Sequence, residues 1–433
     1  MKAFLALVGV LAVPCAATLA APASVRANGD RVVEHLQALA EFGKNPEGGV
    51  SRVAYSDADR AGREYVMGLM RNAGLKVHID TAGNLVGERA GTDPGLKPIV
   101  VGSHIDSVPQ GGNYDGDVGS LSAIELAQTL AEQHVAMRHP LEVIIFENEE
   151  GVMLGSTALG AGVDAARLDS ISQSGKKVRD GVRFLGGNPD RIAESQRRPG
   201  SIEAYFELHI EQGGVLEQEH LQIGIVEGIV GIQDAEVTIE GIANHAGTTP
   251  MNQRHDALLA AARFITMLNG VVTAAPGRQV GTVGWIKAEP GAYNVVPGRV
   301  RLGMEVRDLS AAKVRDLADQ IRREADAIGR ASGTTFSFDT HALAEPALTD
   351  PRLQALIGES AKALGYSSKL MPSGAGHDAQ EMAHLGPIGM IFIPSVGGLS
   401  HTPKEFSRPA DIGNGANVLL EAVLTLDRAK PAR

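Results

Sequence analysis

The chain has 433 residues, of which 40 are Lys or Arg and 51 Asp or Glu, leaving a formal net charge of −11. That acid excess excludes nucleic acid as the main partner, because displacing counterions from phosphates needs surplus cations, and 4% aromatic content leaves little for base stacking. A hydrophobic fraction of 43% with 21% charged residues fits a soluble globular protein of roughly two to three domains, and one Cys excludes an intrachain disulfide framework or a Cys-based metal cluster.

The opening MKAFLALVGVLAVPCAATLAAPA has Lys2, an apolar run from Ala3 to Val13, and small residues around Ala20 and Ala21. This layout predicts a cleaved signal peptide over 1–21 and an exported, periplasmic mature protein with no membrane segment. The run is shorter than the ~20 residues a bilayer span needs and is broken by Pro14. Pro14 also makes Cys15 a poor lipid-attachment site.

Helical spacing of apolar residues predicts helices over Asp30–Phe42 and Asp57–Asn72, the second closed by Gly74. Then come a strand (Pro98–Gly102), a helix (Gly119–His134) and two more strands (Leu141–Phe146, Ala204–His209). Fully apolar strands such as IVVG and VIIF, separated by helices, predict a central, mostly parallel α/β sheet covered by helices on both faces.

Between about Ile229 and His341 the pattern changes to a strand (Gln233–Ile239), a helix (Arg254–Val271), two strands (Val280–Lys287, Arg299–Arg307), a helix (Ala311–Ala331) and a strand (Thr334–Asp339). This β-α-β-β-α-β order is the ferredoxin-like split βαβ unit. It predicts an inserted domain over 229–342 within a discontinuous domain of 28–228 and 343–429. The α/β pattern resumes with a helix (Asp350–Gly365), a strand (Ile388–Ile393) and a last helix (Asn414–Leu426).

Four strand ends carry candidate chemistry. VGSHIDSVPQGGNYDGDVG delivers His104, Asp106, Asp115 and Asp117; IIFENEEG delivers Glu147, Glu149 and Glu150; YFELHIEQGG delivers His209, Glu211 and Gln212; SVGGLSHTP delivers His401. Ligands collect at the carboxyl ends of strands in open α/β sheets. So many charges gathered in one place are costly to bury uncompensated, and the inventory of His and carboxylates suits a binuclear site for divalent ions.

HIDSVPQGGNYDGDVG, FENEEG, HIEQG, ANHAGTTPMNQRHDA and SGAGHDAQEM, in this order, resemble the binuclear zinc amidohydrolases of the aminoacylase and carboxypeptidase superfamily. The resemblance is to the branch of N-carbamoyl-L-amino-acid hydrolases, β-ureidopropionases and allantoate amidohydrolases. HIEQG favours this branch, since dipeptidases place a carboxylate where His209 stands.

The resemblance implies that His104 and His209 bind one metal, that Asp115 bridges, and that Glu150 and His401 bind the second. It implies Glu149 as general base, moving a proton from water to the leaving nitrogen. Asp106, two residues beyond His104, is placed to orient that imidazole. The inserted domain then becomes a lid and dimerisation domain. His245 would stabilise the oxyanion from a second subunit of a homodimer, and Asn294 and Arg307 would clamp a substrate carboxylate. Gln212 would contact the ureido group, and His377 would line the pocket. His35, His78, His134 and His220 lack motif context and read as ordinary surface or core residues.

The implied activity is hydrolysis of a linear C–N bond in an N-carbamoyl-L-amino acid or related small ureido acid bearing a carboxylate. The alternatives are an allantoate amidohydrolase, an aminoacylase or dipeptidase, and a non-catalytic periplasmic binding protein. Zinc is the ion the resemblance implies, and the same donors accept manganese, cobalt or nickel. One departure is local: Gly151 leads into Val152, Met153 and Leu154, where the branch carries Gly-Val-Arg-Phe-like segments. This bears on pocket shape.

Overall fold

A computed structural model describes residues 25–429, so the signal peptide expected over 1–21 lies outside the described residues. The strands in chain order are β1 (Lys76–Ile79), β2 (Leu85–Arg89), β3 (Ile99–His104), β4 (Leu141–Phe146), β5 (Ala204–Ile210), β6 (Ile223–Ile229), β7 (Gly231–Glu240) and β8 (Asn244–His245). They continue with β9 (Val280–Glu289), β10 (Val295–Val296), β11 (Arg299–Asp308), β12 (Thr335–Thr340), β13 (Ala347–Leu348), β14 (Ser368–Ser373) and β15 (Ile388–Ile393).

The large sheet runs β1-β2-β4-β3-β5-β15-β6-β13, with β14 also on β6. Its centre, β4-β3-β5-β15, is parallel, and β1, β2 and β13 add antiparallel margins. Every residue of β3, β5 and β15 is buried. That is why these strands read as unbroken apolar runs: both faces are covered. On one face lies the helix Asp117–Glu132, itself buried under the helices Gly29–Leu39 and Pro409–Arg428, and Val101, Leu121, Ile124, Leu208, Leu420 and Val423 share that core. Met382, Leu385 and Leu159 pack against the other face.

The second sheet, β12-β7-β11-β9, is antiparallel throughout. Its alternation puts Val237, Ile239, Val300, Leu302, Met304 and Val306 on one face, against Phe264, Leu268, Val314 and Ile321 of the helices Ala257–Ala274 and Ala311–Ser332. The chain crosses between the two sheets at Val230 and again between Thr340 and Ala347.

Element ends depart from the sequence expectation where capping decides. The helix expected from Arg254 starts at Ala257, because Asp256 accepts the N–H groups of Leu258 and Leu259 (both 3.0 Å) while Arg254 binds the Thr249 and Ala246 carbonyls. The last helix begins five residues earlier than Asn414, with Pro409 in its first turn. β3 runs two residues past Gly102, which makes His104 its terminal residue.

Candidate metal centre

The carboxyl ends of β3, β4 and β5, together with the loop after β15, converge on one point. His104 ends β3 and His209 lies at the end of β5, both 1% exposed. In each ring Nδ1 meets a backbone carbonyl, Asp106 O for His104 and Ile210 O for His209, both at 3.0 Å. With Nδ1 occupied as donor, Nε2 is left with a lone pair aimed inward.

Asp115 is the hub. Its Oδ1 faces His209 Nε2 at 3.1 Å and His104 Nε2 at 3.7 Å, while its Oδ2 faces His401 Nε2 at 3.3 Å. Glu150 Oε1 lies 3.5 Å from the same His401 nitrogen. Two ligand groups result, His104–Asp115–His209 and Asp115–Glu150–His401, sharing one carboxylate through its two oxygens. Among the described residues no Lys or Arg pairs with Asp115, Glu149 or Glu150; imidazoles are the only basic groups beside them. Divalent cations suit this donor set, compensating buried carboxylates with borderline-hard ligands. A third cluster, Glu207–His209–His377, fits poorly: Glu207 already accepts from Ser103, Tyr205 and the Ala379 N–H, and His209 directs Nε2 to Asp115.

Local backbone geometry presents these groups. Asn148 (φ 54°) turns the chain sharply out of β4, and His401 (φ 55°) and Gln212 (φ 58°) are also left-handed. Such strain in non-glycine residues clusters at functional sites. At Gly116 (φ 65°) an added Cβ would lie 2.4 Å from the His104 ring, so the loop bearing Asp115 passes flush against that imidazole.

Glu149 sits with Oε2 3.8 Å from His104 Nε2. Burial first, then the charges of Asp378, Glu150 and Asp106, push its carboxyl well above the usual range. Burial and Asp115 raise Glu150 to about 7, and hydrogen bonding to Asp115 lifts His401 to about 9. Such perturbed groups gathered in one cleft are the mark of a functional site.

The other candidates divide. The Asp106 carboxylate lies 3.7 Å from His104 Nδ1, and the contact that orients the ring is the Asp106 backbone carbonyl. The carboxylate instead accepts the N–H groups of Glu149 and Glu150, both at 3.2 Å. Gln212 reaches the centre: Nε2 donates to Asp115 Oδ2 at 2.6 Å, and Oε1 has no partner among the described residues. His377 is buried behind His209, ring centroids 4.4 Å apart, and bonded to Ser373 at 2.8 Å; burial and the His209 charge hold it well below the usual imidazole range. His245 and Asn294 lie exposed on the second domain, and Arg307 binds Glu305 through two bonds and the Gly374 carbonyl through a third. No hydrogen bond or ion pair among the described residues joins these three to the cluster.

Sequence reasoning missed Glu405, which bonds the loops of Asp115 and His401, and Arg52, which pairs with Asp117. The HTPKE spacing after His401 was the available signal for the first, and Arg52 had none. Beside His401 and Gln212 opens a cavity of about 600 Å³, walled by Val215, Leu370, Met371 and Pro372. The cations at its rim are already paired, Arg278 with Glu227 and Lys369 with Glu219.

An α/β sheet with imidazoles and carboxylates converging at its strand ends offers a candidate site for divalent ions, and comparison with known proteins places the chain among hydrolases. Residues 100–425 match the model of peptidase family M20/M25/M40, and the chain belongs to that family, within its amidohydrolase branch. It is 39% identical over 404 residues to the N-carbamoyl-L-amino acid amidohydrolase of Geobacillus stearothermophilus, covering 92% of this chain and 98% of that protein. To the allantoate amidohydrolase of Bacillus subtilis it is 35% identical over 401 residues, covering 91% and 97%. A solved hydantoinase/carbamoylase family amidase from Burkholderia multivorans superposes with a TM-score of 0.86 at 34% identity, covering 94% of this chain and 99% of that one.

Proposed function

We propose that the chain is a divalent-metal-dependent hydrolase of the linear ureido C–N bond in N-carbamoyl-L-amino acids. The observation that carries this is Asp115, whose two oxygens face separate imidazole groups. His104, His209 and Asp115 would hold one ion and Asp115, Glu150 and His401 the other, with zinc as the native metal. Bound there, the ions would polarise the scissile carbonyl and acidify a water.

The chain's own groups carry the rest. Glu149 takes a proton from the attacking water and returns it to the amino-acid nitrogen as the carbonyl C–N bond breaks. Gln212 Oε1, free of partners, accepts from the ureido N–H. Arg307, with Asn294, anchors the substrate carboxylate, exchanging Glu305 for it in a forked pair.

His245 supports the oxyanion from a second copy of the chain. Its Nδ1 accepts the N–H groups of Gly247 (3.0 Å) and Thr248 (3.2 Å), so the neutral ring carries its proton on Nε2, ready to donate. A homodimer through this domain is supported by the unpaired edge of β9 and the exposed Leu258, Leu259 and Ile286. The apolar stretch of the cavity wall formed by Val215, Leu370, Met371 and Pro372 favours an apolar amino-acid side chain over the second ureido group of allantoate. Export to the periplasm rests on residues 1–21.

The test is a panel of N-carbamoyl-L-leucine, N-carbamoyl-β-alanine, allantoate and a dipeptide, each assayed with Zn²⁺, Mn²⁺, Co²⁺ and Ni²⁺, alongside Glu149→Gln. The expected result is highest kcat/KM on N-carbamoyl-L-leucine and a 10²–10⁴-fold loss in the variant with metal content unchanged. Preference for allantoate would overturn the substrate assignment, and near wild-type turnover by Glu149→Gln would overturn the base.

A further inference from the structure

Asp115 and His401 are carried by loops about 290 residues apart in sequence, and one side chain joins them. Glu405 is 5% exposed. Its Oε1 accepts the N–H groups of Tyr114 (2.9 Å) and Asp115 (3.0 Å), and its Oε2 accepts the Ser400 hydroxyl (2.9 Å) and the His401 N–H (3.2 Å). Each oxygen therefore serves one loop, and each loop supplies one residue of the cluster.

The surroundings are shaped around this side chain. At Gly112 an added Cβ would fall 2.1 Å from Glu405 Oε1, so the first loop has no side chain where the carboxylate passes. On the other loop, the amide that Glu405 receives belongs to His401, whose left-handed backbone (φ 55°) needs an external partner to hold it. Ser400 stands between the two sides, with its hydroxyl 2.9 Å from both Asp115 Oδ2 and Glu405 Oε2; its single proton serves one carboxylate at a time.

We propose that Glu405 is a positioning residue that fixes the separation between Asp115 and His401, and so sets the affinity and geometry of the second metal position. The proposal rests on the reading of Asp115, Glu150 and His401 as metal ligands. The mechanism is preorganisation. Without the brace, the His401 loop must be ordered by the ion itself, and that ordering is subtracted from binding. Glu405→Gln is the discriminating change because it preserves shape and one acceptor oxygen. Its amide nitrogen must face either the Asp115 and Tyr114 N–H groups or the His401 N–H, so one loop loses its acceptor.

The experiment titrates the metal-free full chain with Co²⁺, following calorimetry and the visible absorption of the bound ion, for wild type, Glu405→Gln and Glu405→Ala. Wild type is expected to bind two Co²⁺ per chain. In Glu405→Gln one of the two affinities should fall 10–100-fold with an altered Co²⁺ spectrum, while the other, whose ion shares Asp115 but keeps His104 and His209, should fall markedly less. Loss of affinity at both positions in equal measure would mark a merely structural role and overturn the proposal, as would two unchanged affinities with an unchanged spectrum. If wild type itself binds no Co²⁺, the metal-ligand reading has failed, an outcome distinct from failure of the brace. Should the variants not fold, hydrogen exchange on metal-free wild type decides: amides in 112–117 and 399–405 are expected to be protected, and free exchange of the Asp115 and His401 amides would refute the brace.

Discussion

Arg52→Met strands one member of a buried ion pair and is expected to cost a large share of the chain's stability. The guanidinium of Arg52 is buried and makes four side-chain contacts: Ile105 O at 2.6 Å, Leu39 O at 2.9 Å, Phe42 O at 3.0 Å and Asp117 Oδ2 at 2.5 Å. It thereby ties the helix Gly29–Leu39 to the end of β3 and to the first turn of the helix Asp117–Glu132, which lacks a side-chain cap. Stranding one member of a buried pair costs about 4 kcal/mol. Three carbonyls that lose a donor add about 1 kcal/mol each, less what water recovers at the partly exposed Phe42. The sum is about 6 kcal/mol at pH 8, a large share of the ~5–15 kcal/mol that holds a domain folded.

The pH dependence has a definite sign. Burial outweighs Arg52 and leaves the Asp117 carboxyl at about 6, above the 3.8 of an unperturbed Asp. The folded chain therefore binds more protons than the unfolded one in that interval, and this group's contribution to stability declines as pH rises from 3.8 to about 6. Removing Arg52 pushes the carboxyl higher, so at pH 8 the variant forgoes an ionisation worth about 1.4 kcal/mol per pH unit above 6, and at pH 5 neither form ionises. The penalty should therefore be about 3 kcal/mol smaller at pH 5. Urea unfolding of metal-free wild type, Arg52→Met, Asp117→Asn and the double variant at both pH values measures it. A penalty below 1 kcal/mol at pH 8, or one that does not change with pH, would refute the reasoning.

Three further predictions follow from burial, geometry and linkage. Gly116→Ala, with its Cβ 2.4 Å from the His104 ring and a φ of 65°, should lower kcat/KM at least about 10²-fold and weaken metal binding, both read on purified protein. Burial raises Asp59 to about 7 in the folded chain, so its ionisation opposes folding and stability from this group falls as pH rises from 3.8 to about 7. Asp59→Asn, which still accepts the Tyr55 N–H, should stabilise at pH 8 by up to roughly 4 kcal/mol and not at all below pH 4, checked by thermal unfolding across pH. Chelation of two ions present at about 1,000 times their Kd should remove about 8 kcal/mol and lower the Tm by roughly 10 °C; an unchanged Tm would argue against specific binding.

What was legible in the sequence follows from where each signal is stored. The central strands were readable because burial on both faces writes an uninterrupted apolar run, and the β7–β12 domain because one-sided burial writes alternation, as in Val300, Leu302, Met304 and Val306. β1, β2 and β6 were not: β1 is a half-exposed margin (Lys76–Ile79), and β2 and β6 are interrupted by Gly87, Gly224 and Gly228. The cluster residues stood out because a strand end delivers His or carboxylate directly after an apolar run. Arg52 could not stand out, since three of its four partners are backbone carbonyls, which carry no residue identity, and Glu405 left only its short spacing from His401, since its other loop lies about 290 residues away.

That last point also accounts for some of the acid excess. Several buried carboxylates in this protein serve as acceptors for backbone N–H groups in loops and in the first turns of short helices. Asp106 receives Glu149 and Glu150, Glu211 receives Val215 and Leu216, Asp427 receives Arg138 and His139, and Glu405 receives Tyr114, Asp115 and His401. A loop that leaves a sheet loses its ladder partners, and a carboxylate offers two oxygens that can rebind several such amides at once. Around the candidate metal centre this matters more than packing would. Apolar contacts tolerate sliding, whereas two or three charge-assisted bonds from one carboxylate fix a loop in position and direction. Asp106 shows the consequence most directly: one side chain holds the amides of both Glu149 and Glu150, so the proposed base and the proposed ligand cannot shift independently.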